Sequence, residues 1–122
     1  MTFMKALKKS LLVLIGLAIL FTPASMASAH SVKEKVKFLE EVDHVDWYRV
    51  EGKNIIIGWR GLPDNFYGWN HRTAVKASLS SIYEVTVWSV RYRQKNWAPG
   101  RGGQICLTTA KFGRFGSSSC KK

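Results

Sequence analysis

The feature that most constrains the fold is the stretch of residues 82–112, in which two β-patterned segments flank a long basic connection rich in glycine. In the first segment large side chains fall on both alternating faces, for example Val87 on one face and Trp88 on the other. Large residues on both faces are typical of a strand inside a sheet, so the sequence predicts a central strand here. Residues 104–112 are predicted to form the strand that returns beside it.

The connection between these two strands, residues 91–103, is the candidate binding site of the chain. It is longer than the roughly 2–5 residues of an ordinary hairpin loop, and such loops tend to be functional or disordered. Guanidinium groups match phosphate and carboxylate oxygens, and an aromatic ring can stack on a base or a sugar. The predicted binding residues are the cations and aromatic side chains of this loop: Arg91, Tyr92, Arg93, Lys95, Trp97 and Arg101. The alternative is a solvated basic loop whose Trp97 folds back and caps the core.

The rest of the chain is predicted to supply two helices and a hairpin. Residues 30–41 and 65–80 have helical patterns, and residues 45–51 and 54–60 read as two strands joined by a turn at Gly52. The order αββαββ predicts an α+β fold, a two-layer sandwich with a four-stranded, mainly antiparallel sheet and helices on one face. A β-rich, barrel-like domain is the alternative. On a helical wheel the second helix shows one buried face, made of Tyr67, His71, Ala74, Val75, Ser78 and Leu79.

The first 29 residues have the three parts of a secretory signal peptide. Three lysines precede an apolar run at residues 11–21, and a stretch of small residues ends at Ala29. The run is shorter than the roughly 20 apolar residues of a membrane anchor, so cleavage before His30 is predicted. The sequence therefore divides into a signal peptide, residues 1–29, and one small α+β domain, residues 30–122, that is periplasmic or secreted. No later segment of the sequence is apolar enough to span a bilayer.

The charge of the chain is strongly positive and unevenly placed. The whole chain has a net charge of +11, and removal of residues 1–29 leaves 16 basic side chains against 8 acidic ones. Residues 66–122 hold 10 lysines and arginines, and Glu84 is their one acidic side chain. A basic half of this kind indicates anionic partners and is no argument about the fold.

The two cysteines, Cys106 and Cys120, are predicted to form a disulfide bond, because the exported compartment is oxidising and no other cysteine competes. Closing a loop of this size stabilises the fold by about 3 kcal/mol in the chain-entropy model. The bond would hold residues 113–119 against the preceding strand. A metal site needs closer cysteines with histidines nearby, and the three histidines lie far upstream. Neither a metal nor a cofactor is predicted.

Catalytic motifs are scarce in this sequence. It contains neither Gly-x-Ser-x-Gly nor His-Glu-x-x-His, which favours a protein without enzymatic activity. The best enzymatic alternative is a small secreted ribonuclease in which His71, Glu84 and Arg91 surround one phosphate. His71 also fits a structural histidine at the edge of the core. The acidic stretch around His44 is typical of a solvated surface.

Together these features predict an exported, basic, disulfide-stapled binding module without enzymatic activity. Its predicted partner is an anionic polymer or surface, namely nucleic acid, cell-wall polymer or lipid headgroups. A second partner class is another exported protein, which the chain would inhibit or assist by docking through exposed tryptophans. No motif in the sequence is specific enough to indicate a family.

Overall fold

The structure is a computed structural model that describes residues 32–79 and 81–122. The predicted signal peptide, residues 1–29, lies outside the described residues. Within the two described ranges, no helix has the length and apolar character needed to cross a membrane.

One mixed sheet of five strands forms the body of the domain: β1 Val45–Glu51, β2 Asn54–Trp59, β3 Val85–Arg91, β4 Cys106–Lys111 and β5 Arg114–Ser118. The spatial order of the strands follows their order in the chain. Neighbouring strands are antiparallel except β2 and β3, which run parallel with Ile57 opposite Ser89. Helix α1, Phe66–Ser78, joins this parallel pair, because a parallel connection must carry the chain back to the end where β2 began.

The α+β class, the central position of β3 and the Cys106–Cys120 bond are confirmed. The predicted four-stranded, mainly antiparallel sheet is wrong in detail, because it lacks β5 and the parallel pair. Glycine and serine after β4 are typical of a loop, which is why the sequence pattern conceals the fifth strand. In the structure Phe112 and Gly113 have φ values of 54° and 76°, so the chain turns tightly from β4 into β5.

The face of the sheet that carries α1 holds the main core. Fully buried strand side chains on this face include Ile55, Ile57, Val85 and Val87. A helical turn at residues 32–35 and a 3-10 helix, Lys37–Glu41, add Leu39 to the same core. The described part of the predicted helix at residues 30–41 is therefore two shorter helical pieces.

Helix α1 packs on the sheet through a different face from the predicted one. Its buried residues are Phe66, Asn70, Thr73, Ala74, Ala77 and Ser78. By contrast, His71 is half-buried and Leu79 is exposed. A helical wheel counts Asn70 and Thr73 as polar, yet each donates a hydrogen bond to a backbone carbonyl four residues earlier, at 2.9 Å and 2.7 Å. Buried polar groups that are satisfied in this way are compatible with a core position.

A chain of buried hydrogen bonds ties α1 to the two parallel strands. The indole Nε1 of Trp59 on β2 donates to Ser89 Oγ on β3 at 2.9 Å. Ser89 Oγ in turn donates to Asn70 Oδ1 on α1 at 2.5 Å. Because these groups are buried, the loss of the Ser89 hydroxyl would leave the indole N–H of Trp59 and the amide oxygen of Asn70 without these hydrogen bonds in the core.

The opposite face of the sheet is covered at one end by the long connection between β3 and β4. Ile56, Val90 and Trp97 form a second buried cluster there, with Trp47 and Trp88 packed against it. The prediction of a two-layer sandwich therefore omitted a part of the fold, since this connection forms a partial third layer.

Candidate functional site

The basic loop, residues 91–103, begins at the end of β3 and is held by two side chains of β1. Trp47 Nε1 donates a 2.7 Å hydrogen bond to the backbone carbonyl oxygen of Tyr92. Arg49 donates through Nη1 to the carbonyl oxygen of Lys95 at 2.9 Å, and through Nη2 to that of Trp97. Residues two apart on a strand share one face, so Trp47 and Arg49 act together on the loop. Three loop carbonyls are bonded to β1 in this way.

Trp97 is the internal anchor of the basic loop. Its side chain is only 3% exposed, and its ring lies 5.3 Å from that of Trp88 between centroids. The indole Nε1 donates a 2.9 Å hydrogen bond to the carbonyl oxygen of Gly102. Gly102 itself has a φ of 71°, a conformation that a residue with a side chain adopts at a cost. Trp97 therefore closes the loop from inside and presents no free ring face to a ligand.

Tyr92 contacts two guanidinium groups at the edge of the loop. The Arg60 guanidinium lies 3.9 Å from the centroid of the ring, and that of Arg93 lies 5.4 Å away. Arg93 Nε also donates a 2.8 Å hydrogen bond to the phenolic oxygen, which is the main reason that the pKa of Tyr92 is lowered. Arg60 pairs with Asp46 at 3.1 Å. The Arg60 guanidinium, at 3.9 Å from the centroid, therefore competes with a base for a face of the ring.

A surface pocket of about 310 Å³ opens on the outer side of the basic loop. Its lining is Arg93, Gln94, Lys95, Asn96, Trp97, Arg101 and Gly102. Three of these residues are cations with exposed side chains, two are amides, and none is acidic. The ion pairs of Arg49 with Glu51 and of Arg60 with Asp46 lie outside this lining. The pocket therefore presents positive charge and amide groups that no described carboxylate neutralises.

Four of the six predicted binding residues line this pocket: Arg93, Lys95, Trp97 and Arg101. The other two stand beside it. Arg91 ends β3 with an exposed side chain, and Tyr92 is half-buried next to Arg93. That these residues bind a ligand stays a prediction, and within the set Trp97 is placed to hold the loop.

The sequence analysis missed two kinds of residue at this site. Gln94 and Asn96 line the pocket between the cations, and Gln94 Oε1 also accepts a 3.1 Å hydrogen bond from the backbone N–H of Arg91. Arg49 lies in another strand, and its contact with the loop depends on which face of β1 lies on the side of the sheet that the loop covers. The alternation of Trp47 with Arg49 places both on one face, but the sequence leaves open whether that face meets the loop.

The residues of the ribonuclease alternative are not brought together. Glu84 directly precedes β3 and Arg91 ends it, so their Cα atoms are about 23 Å apart at about 3.3 Å per residue. His71 lies on α1, where its ring stacks on that of Phe115 with centroids 4.5 Å apart. One phosphate cannot contact all three side chains.

None of the tryptophans on which the docking alternative depends is fully exposed. All five tryptophans fall within the described residues; Trp59 and Trp97 are buried, and the other three are half-buried. Nor do any three histidine, cysteine or acidic side chains of the described residues come together as a metal site requires.

A second pocket, of about 350 Å³, differs from the first in its charge. It is lined by Lys33, Glu40, Tyr48, Arg49 and Val50. Tyr48 donates a 3.2 Å hydrogen bond to Glu40, and burial together with that carboxylate raises the pKa of the phenol. The acidic side chain in its lining makes this pocket a poorer site for an anion than the pocket of the basic loop.

Comparison of the chain with protein-family models, with curated proteins and with solved structures gave no match.

Proposed function

We propose that this protein is an exported, non-enzymatic binding module that holds the phosphate groups of an anionic polymer in the pocket of the basic loop. The observation that carries the proposal is the lining of that pocket, in which Arg93, Lys95 and Arg101 surround a cavity without a described carboxylate. Arginine and lysine are the side chains that proteins use to contact phosphate.

The support for a fixed site comes from the way the basic loop is held. Arg49 and Trp47 bond its carbonyl oxygens to β1, and Trp97 closes it from inside. Cations on a loop of defined shape lose less conformational entropy when they bind than cations on a flexible segment. The expected ligand is therefore one with several phosphates at regular spacing, because the three cations lie on a single short stretch.

We expect the protein to recognise the charge of the polymer without stacking on its bases or sugars. Trp97 is buried, and the ring of Tyr92 is in contact with Arg60 and Arg93. Stacking on aromatic rings is the usual source of affinity for unpaired bases. Binding should accordingly depend on salt and be nearly independent of nucleotide sequence.

A non-enzymatic role is favoured because His71, Glu84 and Arg91, the one catalytic set that the sequence suggests, do not converge. Export is supported by the predicted signal peptide and is compatible with the Cys106–Cys120 bond. The proposed module therefore acts in an oxidising compartment outside the cytoplasmic membrane.

The experiment measures binding of the purified protein to a fluorescent single-stranded oligonucleotide and to linear polyphosphate over a range of salt concentrations. The test variant carries Arg93→Gln, Lys95→Gln and Arg101→Gln. For the oligonucleotide, the loss of three phosphate contacts should make the slope of log K against log salt shallower by about 2. Affinity at low salt should fall in parallel for both probes.

The matched control removes the same amount of charge from the helical side of the domain. It carries Lys37→Gln, Arg72→Gln and Lys76→Gln, which replace three exposed cations outside the basic loop. This variant should keep the wild-type slope. If the control weakens binding as much as the test variant, the site is wrong and the charge of the whole domain accounts for binding. If neither probe binds the wild-type protein, the proposed function is wrong.

A further inference from the structure

Large apolar side chains are concentrated on the surface at the end of the sheet opposite the basic loop. Six such side chains are exposed among the described residues, and four of them lie on two segments that meet at this end. They are Leu79, Ile82, Tyr83 and Phe112, exposed by 59%, 65%, 63% and 59%. We call these four residues the apolar tip.

The segments that carry the apolar tip are held together by specific contacts. The backbone N–H of Gly113, next to Phe112, donates a 2.9 Å hydrogen bond to Ser78 Oγ at the end of α1. A Cβ atom at Gly113 would come within 2.6 Å of Leu79 Cδ2, so the end of the Leu79 side chain lies directly against the β4–β5 turn. On the other side, Thr86 N–H donates a 3.0 Å bond to the carbonyl oxygen of Lys53 in the β1–β2 turn. The helix end and both turns therefore form one surface.

Positive charge lies directly beside the exposed rings. Lys53 Nζ lies 5.8 Å from the centroid of the Tyr83 ring, and Lys111 Nζ lies 5.6 Å from that of Phe112. Arg114 is exposed two residues beyond Phe112. Glu84 is an exposed acidic side chain at this end, and Glu51 is paired with Arg49. Cations are therefore in excess around the apolar tip.

We propose that the apolar tip docks on the surface of an anionic lipid bilayer. Leu79, Ile82, Tyr83 and Phe112 would enter the boundary between headgroups and acyl chains, while Lys53, Lys111 and Arg114 contact anionic headgroups. Apolar and aromatic side chains bordered by lysine and arginine are typical of segments that bind this boundary. Each cation near an anionic membrane surface adds to the attraction.

The size of the surface argues against a second copy of the chain as the occupant. A stable protein interface buries about 800 Å² on each partner and is made by roughly 20 or more residues a side. The apolar tip offers four side chains on turns and helix ends, and lysines border it. Two copies brought together here would also bring their cations face to face, which is unfavourable.

This inference is independent of the proposed function, because the apolar tip lies at the end of the sheet where β3 begins and the basic loop lies at the end where β3 finishes. The full length of β3, Val85–Arg91, lies between the two surfaces. Substitutions at one end therefore leave the side chains of the other end in place.

The test is flotation of the purified protein with lipid vesicles. One set of vesicles contains phosphatidylcholine alone, and the other contains phosphatidylcholine mixed with phosphatidylglycerol. We expect the wild-type protein to float with the mixed vesicles and to bind the neutral ones more weakly. The double substitution Ile82→Ser with Phe112→Ser should reduce partition into the mixed vesicles by at least about tenfold, because two apolar side chains no longer leave water.

The matched control is Leu62→Ser. Leu62 is also exposed, by 53%, but it lies outside the apolar tip in the segment between β2 and α1. Vesicle binding of this variant should equal that of the wild type. Tyr83→Ser provides a second tip variant with a single change, and circular dichroism with thermal melting establishes that each variant is folded.

Three results would overturn the inference. The first is absence of wild-type binding to the mixed vesicles. The second is loss of vesicle binding in the Arg93→Gln, Lys95→Gln, Arg101→Gln variant with binding preserved in the tip variants, which would assign the lipid headgroups to the basic loop. The third is a concentration-dependent dimer of the wild type that the tip substitutions abolish, which would make a second copy the occupant.

Discussion

The indole nitrogen of Trp97 donates a hydrogen bond to the carbonyl oxygen of Gly102, 2.9 Å away, across the interior of the basic loop. The same ring packs against Trp88 on the sheet. The loop that carries the candidate anion site is therefore built around a buried side chain. Both the shape of this loop and the stability of the domain should depend on Trp97.

Replacement of Trp97 by alanine should lower the free energy of unfolding by about 3–5 kcal/mol, because the change leaves a cavity between the loop and the sheet. Trp97→Phe keeps most of the packing and should be milder than Trp97→Ala, although the carbonyl oxygen of Gly102 loses its donor. Urea titration followed by circular dichroism measures both effects. Equal stability of the two variants would contradict the assignment of Trp97 as the packed anchor.

Arg49→Lys tests whether the shape of the loop matters separately from its charge. Lysine keeps the positive charge but cannot bond two carbonyl oxygens with one planar fork. We expect the free energy of unfolding to fall by about 1 kcal/mol and the affinity for polyphosphate to fall by roughly fivefold. Lys37→Arg is the control, since it exchanges the same residue types at an exposed position outside the loop. Unchanged polyphosphate affinity in Arg49→Lys would show that Arg49 does not position the site.

The disulfide bond should contribute about 3 kcal/mol to the free energy of unfolding, as expected for a crosslink between residues 14 apart in the chain. The double substitution Cys106→Ala with Cys120→Ala removes it, and chemical denaturation gives the difference. Wild-type protein in reducing buffer serves as the second measurement of the same quantity. We expect hydrogen exchange to rise first in β5, because Cys120 ties the end of that strand to β4. Uniform loss of protection over the whole sheet would contradict this.

The pKa of Tyr92 offers a spectroscopic signal from the loop. The hydrogen bond from Arg93 holds it below the ordinary value of 10.0, so Arg93→Gln should raise it. Because the folded-state pKa is lowered, the associated stability is present above the unfolded value of 10.0 and is lost as the pH falls through the folded-state pKa. Ultraviolet titration of the wild type, with the Tyr92→Phe spectrum subtracted, isolates this phenol.

Ligand binding should raise the pKa of Tyr92, which is opposite to the effect of Arg93 in the free protein. The positive charge of Arg93 favours the phenolate form of Tyr92. A phosphate bound near Arg93 partly neutralises that charge, so polyphosphate should raise the pKa of Tyr92. Inorganic chloride at equal ionic strength is the control. A pKa that polyphosphate leaves unchanged would place the bound polymer away from Arg93.

Much of the fold was accessible from local pattern. The alternation in β1, the continuous β-branched run of β2 and the two-faced composition of β3 led to correct elements, because each pattern depends on neighbouring residues. The pair of cysteines led to the correct bond, because no other cysteine competes. The fifth strand was not accessible, since residues 114–118 become a strand only through pairing with β4. The buried face of α1 was also misassigned, because a helical wheel counts Asn70 as polar, whereas its amide is satisfied in the core by the Phe66 carbonyl and by Ser89 of β3.

For the candidate site, the sequence by itself determined which side chains could bind an anion, since the cations and aromatic residues of the basic loop are adjacent in the chain. Only the tertiary structure decided their roles. Arg93, Lys95 and Arg101 line a pocket, whereas Trp97 is turned into the core. The physical reason is that an exposed and a buried indole have the same local sequence. The difference arises from residues distant in the chain: Arg49 of β1 bonds the loop carbonyls, and Ile56 and Trp88 supply the sheet surface on which the ring packs.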